Sequence, residues 1–352
     1  MLKIAIVNDS MIATESLRRV IVSVPEYELV WTACNGFEAV QRCSKRCPDI
    51  ILMDLIMPEM DGVEATRRIS AEYECAILVV TATVDGYTGK VFEAMGAGAL
   101  DAVNTPVLGE SGQGEGRDSL IRKIDTIATL LHSKPYRRRQ SDSAAGHPKP
   151  VTSGVPLIAI GASTGGPSAL KEVLQALPAD LGAAVAIVQH IDEQFAASFT
   201  DWLDEHTPLP VLIAKPGDRF EPGTALVCGR EDHLVFSANG TLDYTPEPRE
   251  LAYRPSVDVF FNSLAENYVN QLVGVLLTGM GKDGAAGLKA MRERGWITLA
   301  QDKETCAVYG MPKAAKELDA ATEILPLGNI GPHLAKWVEH ASSRGKEKLK
   351  SG

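Results

Sequence analysis

Apolar residues in the first third of the chain fall into four short, mostly β-branched runs, 4–7, 50–53, 76–80 and 99–103, separated by segments long enough for helices. Short, predominantly apolar runs suit strands of a parallel sheet covered on both faces. The segments between them supply the cover. Leu17, Val20, Ile21 and Val24 recur at three and four residues, as do Ala39, Val40 and Cys43, and more loosely Val63, Thr66, Arg67 and Ile69, which is helical spacing. Behind Asp118, whose carboxylate suits an N-cap, Leu120, Ile121, Ile124, Ile127, Ala128 and Leu131 form one stripe, so a last helix is expected to end near His132. The pattern predicts a first α/β domain over 1–132.

Residues 133–153 change character, with three prolines, five Ser or Thr and almost nothing large and apolar. That is linker composition. Lys134, Arg137, Arg138, Arg139 and Lys149 face only Asp142 there, and we read this basic strip as a solvated tether rather than a docking site. Apolar runs resume at 157–160, 183–188 and 272–277. They predict a second doubly wound α/β domain over 154–341, with Leu334, Trp337 and Val338 marking a terminal helix and 342–352 a fraying, flexible tail.

Length and charge narrow the function. The 352 residues allow two or three domains, and 45% hydrophobic residues fit chains that bury a core. Asp and Glu number 45 against 35 Lys and Arg, a net −10, the wrong sign for a chain that neutralises nucleic-acid phosphates. No run approaches the roughly 18 apolar residues of a membrane span. The N-terminal run meets Asn8-Asp9 too soon for a secretory signal, so a cytoplasmic protein without direct membrane insertion is expected. Six cysteines without a CxxC pair indicate thiols rather than a disulfide framework or a zinc site.

Asp9 follows the first strand and Asp54 the third, which puts both at the carboxyl edge of a parallel sheet, where ligands gather. Two carboxylates there suit a hard cation such as Mg²⁺, which retains water and takes few protein oxygens; helix capping is the other role open to them. Asp54-Leu55-Ile56-Met57-Pro58-Glu59-Met60-Asp61-Gly62 resembles the phosphorylation loop of response-regulator receiver domains, and Val7-Asn8-Asp9-Ser10 resembles their acidic entry turn. The resemblance implies a flavodoxin-like fold with a five-stranded parallel sheet. It implies Asp54 as phosphoacceptor, Asp9 and Asp54 as Mg²⁺ ligands, and Thr81 and Asn8 in support of the phosphoryl group. Three positions depart from the receiver pattern: Asn8 stands where a second acidic residue is usual, Thr105 where a lysine is usual, and Ala102 where an aromatic switch residue is usual.

In the second domain Gly161-Ala162-Ser163-Thr164-Gly165 follows the strand 157–160 and matches G-x-S-x-G. Small flanking residues allow a tight strand-to-helix turn that lifts a serine hydroxyl out of the backbone, and the next helix points N–H groups at the same spot. A phosphate-cradling glycine turn reads similarly, but neither a P-loop lysine nor an acidic residue ending the next strand is present. A serine nucleophile needs a base. Of seven histidines, only His190 comes directly off an apolar strand. Asp283, in the glycine-rich turn after 272–277, is the carboxylate candidate to orient it, although Asp-Gly on its own marks an ordinary turn.

These segments, together with Gln189-His190 and Arg254-Pro255-Ser256-Val257-Asp258-Val259, resemble the catalytic domain of the chemosensory receptor methylesterases, the CheB family, and 103–106 looks most like its Wsp-type branch. The resemblance implies Ser163 as nucleophile, His190 as base and then acid, Asp283 as its orienter and the Met280 N–H as oxyanion donor; the Thr164 N–H is added from the turn geometry. It also implies a methylated chemoreceptor cytoplasmic domain as substrate, a CheA-type histidine kinase as phosphodonor, no cofactor for the ester hydrolysis, and deamidation of receptor glutamine in some members. Arg254 is either a contact for an acidic receptor surface or half of a structural ion pair. The competing class is a receiver fused to an inactive α/β domain that acts as a binding module or phosphoryl sink. A transcriptional regulator is disfavoured because 154–352 is too long and too acidic for a DNA-binding output.

Overall fold

The computed structural model describes residues 1–81, 88–106, 116–132, 154–249, 251 and 253–350. The chain divides into two units, Met1–Gln140 and Ser141–Gly352. The basic strip at 133–153 lies outside the described residues.

The first unit alternates strand and helix: β1 (Leu2–Val7), α1 (Met11–Val22), β2 (Tyr27–Ala33), α2 (Gly36–Lys45), β3 (Ile50–Met53), α3 (Gly62–Glu72), β4 (Ala76–Thr81), α4 (Thr88–Gly96), β5 (Asp101–Asn104) and α5 (Arg117–His132). Its five strands are parallel in the order β2-β1-β3-β4-β5. Every residue of β3 and β4 is buried, as expected for central strands with helices on both faces. β2 is an edge strand with mixed burial, so its sequence carries no continuous apolar run. Side-chain caps set the helix starts: Ser10 accepts from Ala13 N–H, Asn35 from Glu38 N–H and Asp61 from Glu64 N–H. Asp118 is not the cap of α5. The helix starts one residue earlier, at Arg117, and Asp118 sits in its first turn, paired with Arg117, where a carboxylate favours the helix dipole.

The second unit comprises β6 (Leu157–Ala162), α6 (Gly166–Gln175), β7 (Ala184–Gln189), α7 (Glu193–His206), β8 (Val211–Ile213), β9 (Ala225–Val227), β10 (His233–Phe236), β11 (Leu242–Thr245), α8 (Val257–Asn267), β12 (Leu272–Leu276), α9 (Ala285–Glu293), β13 (Ile297–Gln301), α10 (Met311–Glu317), β14 (Glu323–Leu325) and α11 (Leu327–Lys350). Seven strands pair in parallel in the order β14-β13-β12-β6-β7-β9-β8, and β10 and β11 form a separate antiparallel ribbon. The chain starts at β6, grows towards β8 and then returns to the other side at β12. β6 and β12 therefore flank the point where strand order reverses, the usual ligand crevice of such sheets. Phe260, Phe261 and Leu264 of α8 are fully buried against this sheet, each contributing about 1.5–3 kcal/mol of apolar burial. The composition of 342–352 reads as a tail, whereas α11 continues to Lys350; Lys and Glu are good helix formers even without an apolar face. Among the described residues no helix is long and apolar enough to cross a membrane.

Gly62 fixes the loop that carries Asp54. Its N–H bonds the Leu55 carbonyl at 3.0 Å, and a Cβ at 62 would lie 2.0 Å from the Asp54 carbonyl oxygen. Gly62→Ala is therefore expected to destabilise the receiver unit by about 1–3 kcal/mol, read as a lower Tm. Gly89→Ala, whose Cβ meets nothing within 4 Å, leaves Tm unchanged or higher; equal losses from both variants would contradict this account.

Candidate active site

The turn after β6 is built around Ser163. Gly165 adopts φ 75° as the cap of α6, and Pro167 occupies the first turn of that helix, where no N–H is needed. The Ser163 N–H bonds the Thr278 carbonyl at 3.0 Å and the Ser163 carbonyl accepts from Gly166 N–H at 2.7 Å, so the elbow is pinned on both sides. Gly279 presses against it: a Cβ there would stand 2.7 Å from the Ser163 Cβ and 2.3 Å from the Met311 sulfur. Gly279 N–H bonds Val308 O. Among the described residues, the N–H groups of Thr164 and Met280 make no hydrogen bond, so the two oxyanion donors expected from the sequence are both free.

Strand register brings His190 to the same edge. β6 and β7 pair with Ala162 opposite Gln189, and His190 N–H bonds the Ala162 carbonyl at 3.0 Å. The next residue of β6 after that pair is Ser163, and adjacent strands lie about 4.8 Å apart. No Ser163–His190 side-chain hydrogen bond is present among the described residues, as is common in unliganded sites. Asp283 arrives from the turn after β12, on the other side of β6. Its Oδ2 lies 2.7 Å from His190 Nε2. Ser163 is 7% exposed, and the side chains of His190 and Asp283 are 10% and 8% exposed.

Asp283 is held by the start of α8. Its Oδ1 accepts from the Ser256 hydroxyl at 2.8 Å and from Asp258 N–H at 3.1 Å, and its Oδ2 accepts from Val257 N–H at 2.7 Å. Burial pushes the carboxyl pKa up, but the hydrogen bonds from His190, Ser256 and Val257 outweigh it and hold the group below the usual carboxylate range. An ionised carboxylate only accepts, so Nε2 carries the imidazole hydrogen. Nδ1 is then the basic nitrogen, and it is buried with no partner among the described residues.

Sequence reasoning missed four further residues around this centre. Tyr253 stacks face to face on the imidazole, with centroids 4.6 Å apart and planes 7° from parallel; nothing in the sequence signals it. Ser256 caps α8 and also bonds Asp283; a serine three residues before Val259 at a helix start was the available signal. His233, fully buried, accepts Ser256 N–H on Nδ1 at 3.0 Å. Gln189 donates to the carbonyls of Ser163 and His190 at 2.9 and 3.0 Å. Arg254 is paired with Asp232 at 3.4 Å, the ion-pair alternative of its two sequence readings.

In the receiver unit, β1 and β3 neighbour each other at the strand-order reversal, so Asp9 and Asp54 leave adjacent strand ends. Burial pushes the Asp54 carboxyl up to about 6, against hydrogen bonds from Leu55 and Ile56 N–H, and the charge of Asp9 pushes the same way as burial. A half-buried carboxylate facing a second one is under-neutralised, and this donor set, two hard oxygens open to water, fits Mg²⁺. Among the described residues no group of three or more His, Cys, Asp or Glu is arranged to hold a metal, so protein side chains supply two carboxylates at most. Thr81 is buried at the end of β4, and its carbonyl accepts Thr105 N–H at 2.8 Å. Asn8 is buried and its Oδ1 accepts Ser10 N–H at 2.8 Å, which shapes the entry to α1. Thr105 presents a buried hydroxyl without a partner among the described residues, and Ala102 is packed in the core.

Because the folded-state pKa of Asp283 is depressed, its stabilising contribution is present above the unfolded value near 4 and is lost as pH falls through the lowered value. Asp283→Asn is expected to cost about 1–3 kcal/mol at pH 7, with the gap in Tm from wild type narrowing below pH 4. Thermal melts of both proteins across pH 3–8 check this; a gap independent of pH would contradict it.

Residues 158–334 match the CheB methylesterase family and residues 4–110 the response regulator receiver domain. A Burkholderia lata protein named protein-glutamate methylesterase/protein-glutamine glutaminase 1 is 53% identical over 335 residues, covering 95% of this chain and 98% of that protein. A Pseudomonas aeruginosa protein named protein-glutamate methylesterase/protein-glutamine glutaminase 3 is 50% identical over 335 residues, covering 95% and 99%. The crystal structure of the Thermotoga maritima CheB methylesterase catalytic domain is 34% identical with a TM-score of 0.49, covering 52% of this chain and 99% of that one. With the relatives spanned almost end to end, and the elbow and its His–Asp pair inside the matched region, the chain belongs to the CheB methylesterase family.

Proposed function

We propose that this chain is a serine-dependent protein-glutamate methylesterase and protein-glutamine glutaminase whose receiver, over 1–132, regulates a catalytic domain over 154–341 through a tether at 133–153. The observation that carries the reading is the buried His190 imidazole, fixed at Nε2 by an ionised Asp283 and left with a free Nδ1 at the end of the strand beside Ser163. On this reading Ser163 Oγ attacks the ester carbonyl carbon and gives its proton to His190 Nδ1. The N–H groups of Met280 and Thr164 donate hydrogen bonds to the developing oxyanion. The tetrahedral intermediate collapses to an acyl-enzyme as the His190 proton leaves with methanol, or with ammonia when the substrate is glutamine. Water, deprotonated by Nδ1, then attacks the acyl carbon, and collapse returns the proton to Ser163 Oγ and frees a glutamate side chain. Asp283 stays ionised and offsets the imidazolium charge.

The substrate in this reading is a methyl-esterified glutamate on a chemoreceptor cytoplasmic domain, which sets the reaction in the cytoplasm. A CheA-type histidine kinase supplies the phosphoryl group to Asp54; Asp9 and Asp54 would hold Mg²⁺, which would offset charge on the transferring oxygens. Thr81, at the adjacent strand end, is the hydroxyl that accommodates the new phosphoryl group. The Wsp-type branch is the finer reading, resting on 103–106 and on the overall character of the chain. The free Nδ1 and the two free N–H groups favour an active enzyme over a receiver fused to an inactive domain.

Methanol release from a methyl-esterified receptor cytoplasmic fragment tests the enzyme: Ser163→Ala is expected to lower it by about three orders of magnitude or more, and acetyl phosphate to raise the wild-type rate. No release from folded wild type with several receptors would favour the binding-module reading instead. For the receiver, Mg²⁺ with beryllofluoride is expected to change the wild-type spectrum and to leave Asp54→Asn unaffected. A silent wild type would remove Asp54 from its assigned role.

A further inference from the structure

Three of the six cysteines converge at the amino-terminal edge of the receiver sheet, opposite the edge that carries Asp54. Cys43 lies in the last turns of α2 and is 2% exposed. Cys47 follows that helix, is exposed, and points its thiol at the Pro48 carbonyl, 3.6 Å away. Cys75 immediately precedes β4 and is partly exposed. The strand register brings it in: β3 pairs with β4 from Ile50 opposite Ala76, and Ala76 N–H bonds the Asp49 carbonyl at 3.0 Å, so Cys75 lies beside the 47–49 segment. The end of α2 is fixed against the sheet by Trp31, whose indole N–H bonds the Arg46 carbonyl at 2.8 Å. The thiols of Cys43 and Cys47 both interact electrostatically with that of Cys75, as the backbone placement of the three residues on one edge requires.

We propose that Cys43, Cys47 and Cys75 form a thiol–disulfide site whose substrate is a hydroperoxide, with Cys47 as the exposed entry thiol and Cys75 as the resolving thiol. Cys47 sulfur attacks one peroxide oxygen, the O–O bond breaks, and water leaves with the thiol proton, giving a sulfenic acid at Cys47. The Cys75 sulfur displaces its hydroxyl, which leaves as a second water, and the Cys47–Cys75 bond forms. Two thiols are oxidised and one hydrogen peroxide is reduced to two waters. Cys43 can then attack the Cys75 sulfur and release Cys47, which moves the disulfide to the less exposed Cys43–Cys75 pair by thiol–disulfide exchange.

The physical chemistry favours this division of labour. Burial pushes the Cys47 thiol up, so access rather than thiolate character makes it the entry, and Cys47 is the most open of the three. The hydrogen bond from Cys75 draws the Cys43 thiol down, which primes it as the exchanging nucleophile, whereas the Cys75 thiol is raised, first by its contact with Cys43 and then by burial. Disulfides in reducing compartments are mostly transient and redox-sensing. The bonds would tie α2, or the segment just after it, to the start of β4 and close a loop containing β3 and α3, the segment that carries Asp54, so oxidation constrains the unfolded receiver and stabilises it.

The full-length protein, reduced and then treated with hydrogen peroxide, is alkylated and mapped by mass spectrometry. The expected result is a loss of about 2 Da, two hydrogens, in a cross-linked peptide containing Cys75 joined to Cys47 or Cys43, together with a rise in the Tm of the receiver transition that a reductant reverses. In Cys75→Ser the cross-link is lost and Cys47 accumulates as a sulfenic acid trapped by dimedone; Cys47→Ser, which alters only an exposed side chain, slows cross-linking at least several-fold. Cys34, exposed and outside the cluster, is the internal control and gains only the dimedone adduct. Intermolecular disulfides alone, over-oxidation of Cys47 with Cys75 still open to alkylation, or cross-linking at an equal rate in Cys47→Ser would each overturn the proposal.

Discussion

The catalytic unit depends on one buried anion. Asp283 gives up hydration for four donors, the His190 imidazole, the Ser256 hydroxyl and the first N–H groups of α8. Hydrogen bonds to a charged group contribute about 1.5–3 kcal/mol each, and the positive end of a helix adds to them. An unpaired carboxylate in the same place would cost several kcal/mol. That balance explains why the turn after β12, the helix α8 and the end of β7 must form together: each supplies part of the shell that makes the charge tolerable. His190 in turn has one orientation, because its Nε2 is bound to a group that cannot move without losing the others.

The serine elbow is fastened by a second, neutral network. Thr278 donates its hydroxyl to the Thr164 carbonyl at 3.0 Å, accepts Val308 N–H on that hydroxyl at 2.9 Å, and offers its own carbonyl to Ser163 N–H. Thr278 N–H is taken by the Gln301 side chain at 2.8 Å, from the end of β13. Polar groups buried this deeply rigidify a site only when every member is satisfied, and here the ends of β6, β12 and β13 lock one another. The N–H groups left out of this network are those of Thr164 and Met280, and the ring nitrogen left out of the first is His190 Nδ1. These three groups lie where a reacting ester would satisfy them; Gln189 Oε1 is likewise buried without a partner among the described residues.

Most of the strands legible in the sequence are those at the centres of the two sheets. β3, β4, β6, β7 and β12 are buried at every position and β1 at all but Lys3, and such strands write an apolar run; β5 was legible from 99–103 although it lies at an edge, and β9 is buried throughout but only three residues long. β2, β8 and β14 lie at sheet edges with mixed burial, and β13 hides its burial behind Thr298, whose hydroxyl is satisfied by the Ala320 carbonyl at 2.7 Å. The β10–β11 ribbon carried a readable signal in Asn239-Gly240, where Gly240 takes φ 83°, a turn chemistry typical of hairpins. Ser163, His190 and Asp283 were legible because each follows a strand of the central trio. The contacts that Tyr253, Ser256 and His233 make with the site were not, because they are made across 63, 27 and 23 residues respectively, and no local pattern encodes them.

In the receiver the same electrostatic reasoning runs in the opposite direction. Asp283 is depressed because donors surround it; Asp54 is raised because burial and Asp9 outweigh the two N–H groups that face it. Thr105 occupies the place where receivers usually carry a lysine, and a hydroxyl brings no charge to offset that push. Lys90, which reaches Asp61 at 3.1 Å, is spent on the cap of α3. On the proposed reading, neutralisation of a phosphoryl group at Asp54 falls to the metal and to backbone donors rather than to Thr105. Occupancy of Asp54 in this chain would then be more sensitive to the concentration of free Mg²⁺ than in a receiver with the lysine, since one of the two cations that ordinarily share the charge has been removed.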